Sequence, residues 1–236
     1  MGWRAPALLA IVLWLFVVWI ILNVAGGATS DKVLESFGAR GPGQGSWRFL
    51  SSIFLHFDFF HLLFNALALL FLGSAVESIA GTGFFLLCFL FSGVGGGLAS
   101  GLMNPSVISI GASGAVYGLV AALFYLLWWA PEKTPHLEAR QRSIQTFLLI
   151  FVAVLGCQPS MLAGHWADTA QHWGGLLSGL IISLVLTRRE GKIVMSRPMA
   201  ASLVIWLSLA AVFCEPGTSK DALPGESVGQ FQSTLD

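Results

Sequence analysis

Long stretches without a charged residue are the feature of this sequence that most constrains its fold. The chain of 236 residues has only 12 basic and 12 acidic side chains. The six longest gaps between consecutive charges hold 26, 18, 54, 25, 19 and 17 residues, and they follow Arg4, Asp58, Glu77, Arg142, Asp168 and Arg197. A helix that crosses a bilayer needs about 20 mostly apolar residues. The gaps therefore predict several membrane-spanning helices.

The lengths of the gaps indicate how many helices there are. The gap of 54 residues holds two helices, because a break rich in glycine, proline and serine divides it at 104–112. Seven helices are predicted in all, at 7–25, 59–79, 84–103, 113–130, 143–160, 168–187 and 198–214. The last is the shortest, and a buried or interfacial segment is the alternative there. The predicted fold class is all-α, a polytopic bundle of membrane helices.

Composition excludes several classes of protein. Hydrophobic residues make up 56% of the chain and charged residues 10%, whereas a soluble domain carries about 25% charge. An ordinary soluble enzyme and a disordered chain are therefore excluded. The formal net charge of zero also argues against nucleic acid as a partner, since binding to phosphates needs a basic surface.

Basic residues orient the predicted helices, because Lys and Arg are enriched in cytoplasmic loops. Arg4 and the loops at 131–142 and 188–197 fall on one side if the helices alternate, and that side holds eight of the twelve basic residues. We therefore expect a cytoplasmic N-terminus, with the loops at 26–58 and 104–112 on the outer side. The first apolar run is longer than a cleavable signal sequence, and no import signal rich in Arg and Ser precedes it. An uncleaved first helix in a bacterial inner membrane is favoured.

Polar side chains within the apolar stretches are candidate functional residues, because burying them in a membrane is costly. His61 and Asn65 have i,i+4 spacing and share one face of the second predicted helix. Interhelical hydrogen bonding that stabilises the bundle is the structural alternative for this pair.

A serine between glycines opens the fourth predicted helix. The segment Gly111-Ala112-Ser113-Gly114 is followed one turn later by Tyr117. Backbone N–H groups at a helix N-terminus are free, so they can stabilise an oxyanion beside the serine. A simple helix cap is the alternative for this serine.

A histidine precedes a close-packing motif in the sixth predicted helix. His172 lies one turn before Gly175, which forms a GxxxG pair with Gly179 and so permits close contact with a neighbouring helix. His165 competes for the role but belongs to the preceding loop or interface. Asp168 would complete a triad with His172, although an aspartate at a helix start is more often a cap.

Together these groups form a residue set for acyl transfer inside a membrane. Ser113, His172 and the pair His61 and Asn65 are predicted to lie near the outward ends of three helices, at one depth. A nucleophile needs a base within hydrogen-bond reach and donors directed at the oxyanion. A transporter or channel is a further class, but it usually shows internal repeats, and the sequence shows none.

At these positions the sequence resembles the rhomboid family of intramembrane serine proteases, over roughly residues 40–187. Five motifs in chain order carry the resemblance. They are Trp47-Arg48, the HxxxN of His61 and Asn65, the segment Gly73-Ser74-Ala75-Val76-Glu77, the GxSG of Gly111, Ser113 and Gly114 with Tyr117, and the HxxGxxxG of His172, Gly175 and Gly179.

The resemblance implies a dyad in which Ser113 is the nucleophile and His172 is the general base. It implies that His61 and Asn65 stabilise the oxyanion and that Tyr117 stacks on the imidazole of His172. It also implies a supporting role for four glycines, which are Gly111, Gly114, Gly175 and Gly179. The family uses no metal and no nucleotide cofactor.

The resemblance further implies that the substrates are single-pass membrane proteins, cleaved within or beside their transmembrane segments in the bilayer. It divides the chain into three parts. The first helix lies in 1–30, the protease core with the first loop and helices two to six lies in 31–190, and a loop, a seventh helix and a polar tail lie in 191–236. A rhomboid-like pseudoprotease, which binds membrane proteins without cutting them, is the alternative. Such relatives typically lack the serine or the histidine, and this chain has both.

Overall fold

Eight α-helices make up most of the chain that the structure, a computed structural model, describes. The described residues are 5–39, 45–103, 108–128 and 168–187. The helices are α1 (Pro6–Val24), α2 (Asp31–Ser36), α3 (Arg48–Ser51), α4 (Phe59–Ala68), α5 (Ser74–Ala80), α6 (Thr82–Met103), α7 (Ser113–Trp128) and α8 (Thr169–Thr187). A 3₁₀ turn at Ser52–Phe54 follows α3, and a π-helical segment at Leu69–Gly73 joins α4 to α5.

Long apolar helices occur where the sequence predicts them. Four are long and apolar enough to cross a bilayer, and these are Pro6–Val24, Phe59–Ala80, Thr82–Met103 and Thr169–Leu186. The apolar helix α7 is shorter. The predicted all-α bundle of membrane helices is confirmed, whereas the predicted helices at 143–160 and 198–214 lie outside the described residues.

Large apolar side chains cover the outer faces of these helices. Leu13 and Trp14 on α1, Phe60 and Phe64 on α4, and Trp173 on α8 are all exposed. Exposed apolar patches of this extent are unfavourable in water and mark a surface that meets an apolar environment. The bundle therefore presents the surface that lipid chains require.

Glycines bring α6, α7 and α8 into backbone contact. A Cβ atom on Gly175 of α8 would overlap the carbonyl group of Gly114 on α7, and one on Gly179 would overlap Gly118 in the same way. A Cβ on Gly96 of α6 would lie 2.6 Å from a backbone oxygen of α8. Such contacts replace the hydrophobic driving force that is missing between helices in lipid. The close contact predicted for the GxxxG pair is confirmed.

The long loop between α1 and α4 folds onto α6. Ile53 and Phe49 of the loop are buried. The side chain of Ile53 fills the space where Gly93 of α6 lacks a Cβ, and Phe49 packs in the same way against Gly97. These glycines of α6 therefore accommodate the loop, while Gly96 on another face accommodates α8.

Arg48 stabilises the conformation of this loop by hydrogen bonds to the loop backbone. Its guanidinium donates to the backbone oxygens of Glu35 and Ala39, the latter at 2.8 Å, and its Cζ lies 4.8 Å from the centre of the Trp47 ring. The loop thus has a defined shape, and its end is positioned beside the start of α7.

A buried carboxylate on α5 joins three helices. Glu77 is only 3% exposed and accepts hydrogen bonds from the backbone N–H groups of Ala7 (3.2 Å) and Leu8 (3.0 Å) and from the hydroxyl of Thr82 (2.7 Å). The N–H groups at the start of a helix have no intrahelical partner and carry a partial positive charge. Glu77 therefore caps α1 and connects it to α5 and α6.

We expect Glu77→Gln to lower the thermal stability of the protein. An amide offers one acceptor oxygen in place of two, and its NH₂ group would face the N–H groups of α1. A lost buried hydrogen bond of this kind costs about 1–3 kcal/mol. Thermal unfolding in detergent measures the effect, with Ser78→Ala on the exposed side of α5 as the control. Equal melting temperatures for Glu77→Gln and the wild type would show that this cap does not stabilise the fold.

Candidate active site

Ser113 is the first residue of α7, and its side chain reaches across to α8. The hydroxyl donates to Oε1 of Gln171 at an oxygen–oxygen distance of 3.3 Å. Ser113 is half-buried, so the hydroxyl lies at the edge of the helix contact. This hydrogen bond connects the start of α7 to α8.

The turn that leads into α7 lies against α4. Gly111 has a φ of +112°, in the left-handed region that favours glycine. A Cβ at this position would lie 2.7 Å from both Cε1 and Nε2 of His61. The imidazole of His61 therefore packs directly on the turn that precedes Ser113.

His61 and Asn65 lie one helical turn apart near the start of α4. The backbone N–H of His61 donates to Oδ1 of Asp58 at 2.8 Å, so Asp58 caps this helix. Nδ2 of Asn65 donates to the backbone oxygen of His61 at 2.9 Å. Asn65 is buried and His61 is half-buried. The ring of His61 thus faces the turn before Ser113, whereas the amide of Asn65 is bonded to its own helix.

His172 and Tyr117 form a stacked pair between α8 and α7. Their ring centroids are 4.3 Å apart and their planes differ by 8°. Both side chains are buried, and Nδ1 of His172 has no hydrogen-bond partner among the described residues. Within that part of the chain, no hydrogen bond joins the imidazole of His172 to the hydroxyl of Ser113.

Asp168 lies immediately before α8 and accepts hydrogen bonds from backbone N–H groups of its first turn. Its Oδ1 accepts from the N–H of Gln171 at 3.1 Å, and its backbone oxygen accepts from the N–H of His172 at 3.2 Å. This is the geometry of an N-cap, as the sequence predicted. His165, the other candidate histidine of this region, lies outside the described residues.

Two residues at the site were missed by the sequence analysis, Gln171 and His56. Nε2 of His56 accepts from the backbone N–H of Ala112 at 3.4 Å, and the rings of His56 and His61 meet edge to face at 4.9 Å. One feature of the sequence could have indicated them: each is a neutral polar side chain beside a segment already considered, Gln171 next to His172 and His56 at the end of the loop at 26–58. Neither spacing nor periodicity indicates which backbone group such a side chain will meet.

His56 is neutral in the folded protein. Complete burial lowers the pKa of His56 well below its ordinary value of 6.5, the neighbouring His61 lowers it further, and the backbone of Phe54 opposes these effects. A neutral imidazole nitrogen can accept a hydrogen bond, as Nε2 does from Ala112. The loop between α1 and α4 thus supports the turn before Ser113, together with the bond from the Gly111 N–H to the Ser52 oxygen at 2.9 Å.

The side chains around Ser113 are neutral donors and acceptors rather than charged groups. In the part of the chain that the structure describes, no group of three His, Cys, Asp or Glu side chains is placed to hold a metal ion. These features define a class, which is a helical membrane protein with a half-buried serine and a buried histidine near the starts of two packed helices.

Comparison with known proteins identifies the family. Residues 43–189 match the family model described as Rhomboid domain. Rhomboid protease GluP of Bacillus subtilis (strain 168) is 33% identical over 201 residues, which are 83% of this chain and 38% of the relative. RHOMBOID-like protein 4 of Arabidopsis thaliana is 34% identical over 173 residues, 72% of this chain and 40% of the relative. Rhomboid protease GlpG of Pectobacterium atrosepticum is 30% identical over 179 residues, 75% of this chain and 62% of the relative.

The chain therefore belongs to the rhomboid family, as its motifs predicted, and it is an integral membrane protein with several spans. The matching part of the chain spans less than two thirds of the length of each of these three relatives.

We expect acid to destabilise the protein through His56. Its pKa is lower in the folded chain than in the unfolded chain, so only the unfolded chain binds a proton as the pH first falls below about 6.5. The contribution of His56 is therefore complete above that pH and is lost progressively below it. Thermal unfolding at several pH values between about 7.5 and 5 should show a steeper decline for the wild type than for His56→Gln, whose amide oxygen can still accept from Ala112. Parallel curves for the two proteins would contradict this assignment.

We expect Gly111→Ala to destabilise the protein more than Gly81→Ala. Both glycines have positive φ, at +112° and +89°, and a side chain in that region costs about 1–2 kcal/mol. A Cβ on Gly81 meets nothing within 4 Å, whereas one on Gly111 would collide with His61. The difference in melting temperature between the two variants isolates this collision. Equal losses would show that His61 moves aside freely.

Proposed function

We propose that the protein is an intramembrane serine endopeptidase, which hydrolyses peptide bonds in or beside the transmembrane segments of membrane proteins. The observation that carries the proposal is the placement of Ser113 and His172 at the facing ends of α7 and α8, with the imidazole stacked on Tyr117. Membership of the rhomboid family supports it, since the relatives named above include proteins described as rhomboid proteases.

In the proposed reaction Ser113 is the nucleophile and His172 is the general base. The hydroxyl turns from Gln171 to His172, and a neutral imidazole takes its proton as the oxygen attacks the substrate carbonyl carbon. Hydrogen bonds between catalytic groups are often absent or long before substrate binds, so the present bond to Gln171 is compatible with this role. Tyr117 orients the imidazole by stacking on one of its faces.

Three donors are available for the oxyanion of the tetrahedral intermediate. They are the backbone N–H of Ser113 at the helix N-terminus, the imidazole of His61 and the amide of Asn65. His61 already lies against the turn before Ser113. Asn65 would contribute by exchanging its bond to the His61 carbonyl for one to the oxyanion.

Two further steps complete the reaction, which are loss of the leaving amine and hydrolysis of the acyl ester. His172 returns its proton to the leaving amine as the peptide C–N bond breaks, which leaves an acyl ester on Ser113. A water molecule then gives a proton to His172 as its oxygen attacks the ester carbonyl carbon. His172 passes that proton to the Ser113 oxygen as the ester bond breaks, which releases the acid product and restores the free serine. These steps use side chains and water alone, so the proposal includes no metal and no cofactor.

The proposed substrates are single-pass membrane proteins. A transmembrane helix must unwind before its carbonyl can be attacked, because all its backbone groups are bonded internally in lipid. The protease core is proposed to span 31–190, after a first helix in 1–30 and before a loop, helix and tail in 191–236. A cytoplasmic N-terminus in a bacterial inner membrane would open the site to the outer side.

A pseudoprotease that binds membrane proteins without cutting them is the second candidate. The observation in its favour is the hydrogen bond from the Ser113 hydroxyl to Gln171, since a hydroxyl held this way is not bonded to His172. The presence of both the serine and the histidine favours the protease.

We expect Ser113→Ala and His172→Ala each to abolish cleavage of a single-pass reporter by the purified protein. Loss of a nucleophile or its base typically lowers the rate by at least about 10³-fold. Gel-based detection of the cleaved reporter in liposomes measures the effect. Ser183→Ala is the matched control, because Ser183 is a buried serine whose hydroxyl bonds to the Gly179 carbonyl of its own helix.

Retained cleavage in both active-site variants would contradict the proposed mechanism. Labelling with a fluorophosphonate separates the two candidate functions, because a protease reacts at Ser113 and a pseudoprotease does not. Peptide mapping of the labelled protein locates the modified serine.

A further inference from the structure

The hydroxyl of Ser113 is bonded to a buried amide rather than to the proposed base. Ser113 Oγ donates to Oε1 of Gln171 at 3.3 Å, and Nε2 of the same amide donates to the carbonyl oxygen of Gly111 at 3.2 Å. Gln171 is only 3% exposed. A serine hydroxyl has a single hydrogen, so while Gln171 accepts it, His172 cannot.

The direction of these two bonds follows from their chemistry. The carbonyl oxygen of Gly111 can only accept, so the NH₂ group of Gln171 must face it. The amide oxygen then faces Ser113, and an oxygen acceptor requires the hydroxyl to be the donor. A flipped amide would set two acceptors against each other at Gly111.

Three elements hold the side chain of Gln171 in this position. Its own backbone N–H is bonded to Asp168, the cap of α8. Its stem lies between α6 and α7, where a Cβ on Gly96 or Gly114 would come within 3.1 or 3.3 Å of Cγ. The two glycines therefore form the slot that accommodates the stem, and the amide is directed at Ser113 and Gly111 before any substrate binds.

We infer that Gln171 is a positioning residue that keeps the Ser113 hydroxyl directed away from His172 in the resting protein. Transfer of the proton to His172 requires the hydroxyl to leave the amide first, and this exchange slows attack by the serine. The bond involved is an ordinary neutral hydrogen bond, so its loss changes the rate by roughly fivefold. The inference rests on the proposed function, because only a nucleophilic Ser113 gives the restraint a chemical consequence.

The test is the rate at which a fluorophosphonate labels the purified full chain. In this reaction the Ser113 oxygen forms a bond to phosphorus, fluoride leaves, and the hydroxyl proton passes to His172. Gln171→Met removes the amide but keeps a long side chain in the slot between α6 and α7. Gln171→Ala removes both the amide and the stem, and it serves as the second variant in case the methionine does not fit the slot. We expect labelling roughly fivefold faster than in the wild type in each variant that remains folded.

The dependence of labelling on probe concentration separates this restraint from a merely structural role. Removal of the restraint acts on the chemical step, so the maximal rate constant rises while the concentration that gives half the maximal rate stays the same. A structural role would instead lower the maximal rate constant or weaken probe binding as the site loosens.

Ser183→Ala is the control, and we expect it to be labelled at the wild-type rate. Unchanged or slower labelling of the Gln171 variants, with normal labelling of the wild type, would overturn the inference. Failure of the wild type itself to be labelled would count against the proposed function instead. The two failures are therefore distinguishable in one experiment.

Discussion

Backbone contact between α7 and α8 is the interaction on which the rest of the site depends. Gly175 lies on Gly114 and Gly179 lies on Gly118, one turn further along both helices. Because the contacts are a turn apart, they set the register of the two helices as well as their separation. The same register brings His172 over Tyr117 and Gln171 next to Ser113. A side chain at any of these glycines would move all of those pairs at once.

The neutrality of the site is a consequence of where it lies. An uncompensated charge in an apolar interior carries a large desolvation penalty, and the polar groups around Ser113 are a hydroxyl, two carboxamides and imidazoles. Ordinary neutral hydrogen bonds connect Ser113 through Gln171 to the carbonyl oxygen of Gly111. The charged Asp168 remains at the helix start, where it caps backbone N–H groups. Glu77 is likewise a carboxylate that caps a helix, at the opposite end of the bundle. Three hydrogen-bond donors compensate for its burial.

Much of the fold could be predicted from the sequence, because the signals were local. For the five predicted helices that fall within the described residues, the gaps between charges gave the bounds to within about two residues. They could do so because the hydropathy of a segment decides whether it can span lipid. The GxxxG pair of Gly175 and Gly179 indicated a close contact, and the position of Asp168 at a helix start indicated the cap of α8. The partner of that close contact could not be predicted, because Gly114 lies 61 positions before Gly175. Likewise, nothing local indicates that His56 would meet the Ala112 backbone, 56 residues away.

The sequence by itself determined which segments lie in the membrane and which polar side chains they carry, since solvent preference is a property of each segment alone. Only the tertiary structure decided how those side chains are paired. A hydroxyl such as that of Ser113 has one hydrogen, so it can donate to only one of the acceptors that helix packing brings near it. The choice of Gln171 over His172 is made by the positions that the glycine contacts impose on α7 and α8, and that geometry exists only after the helices have packed.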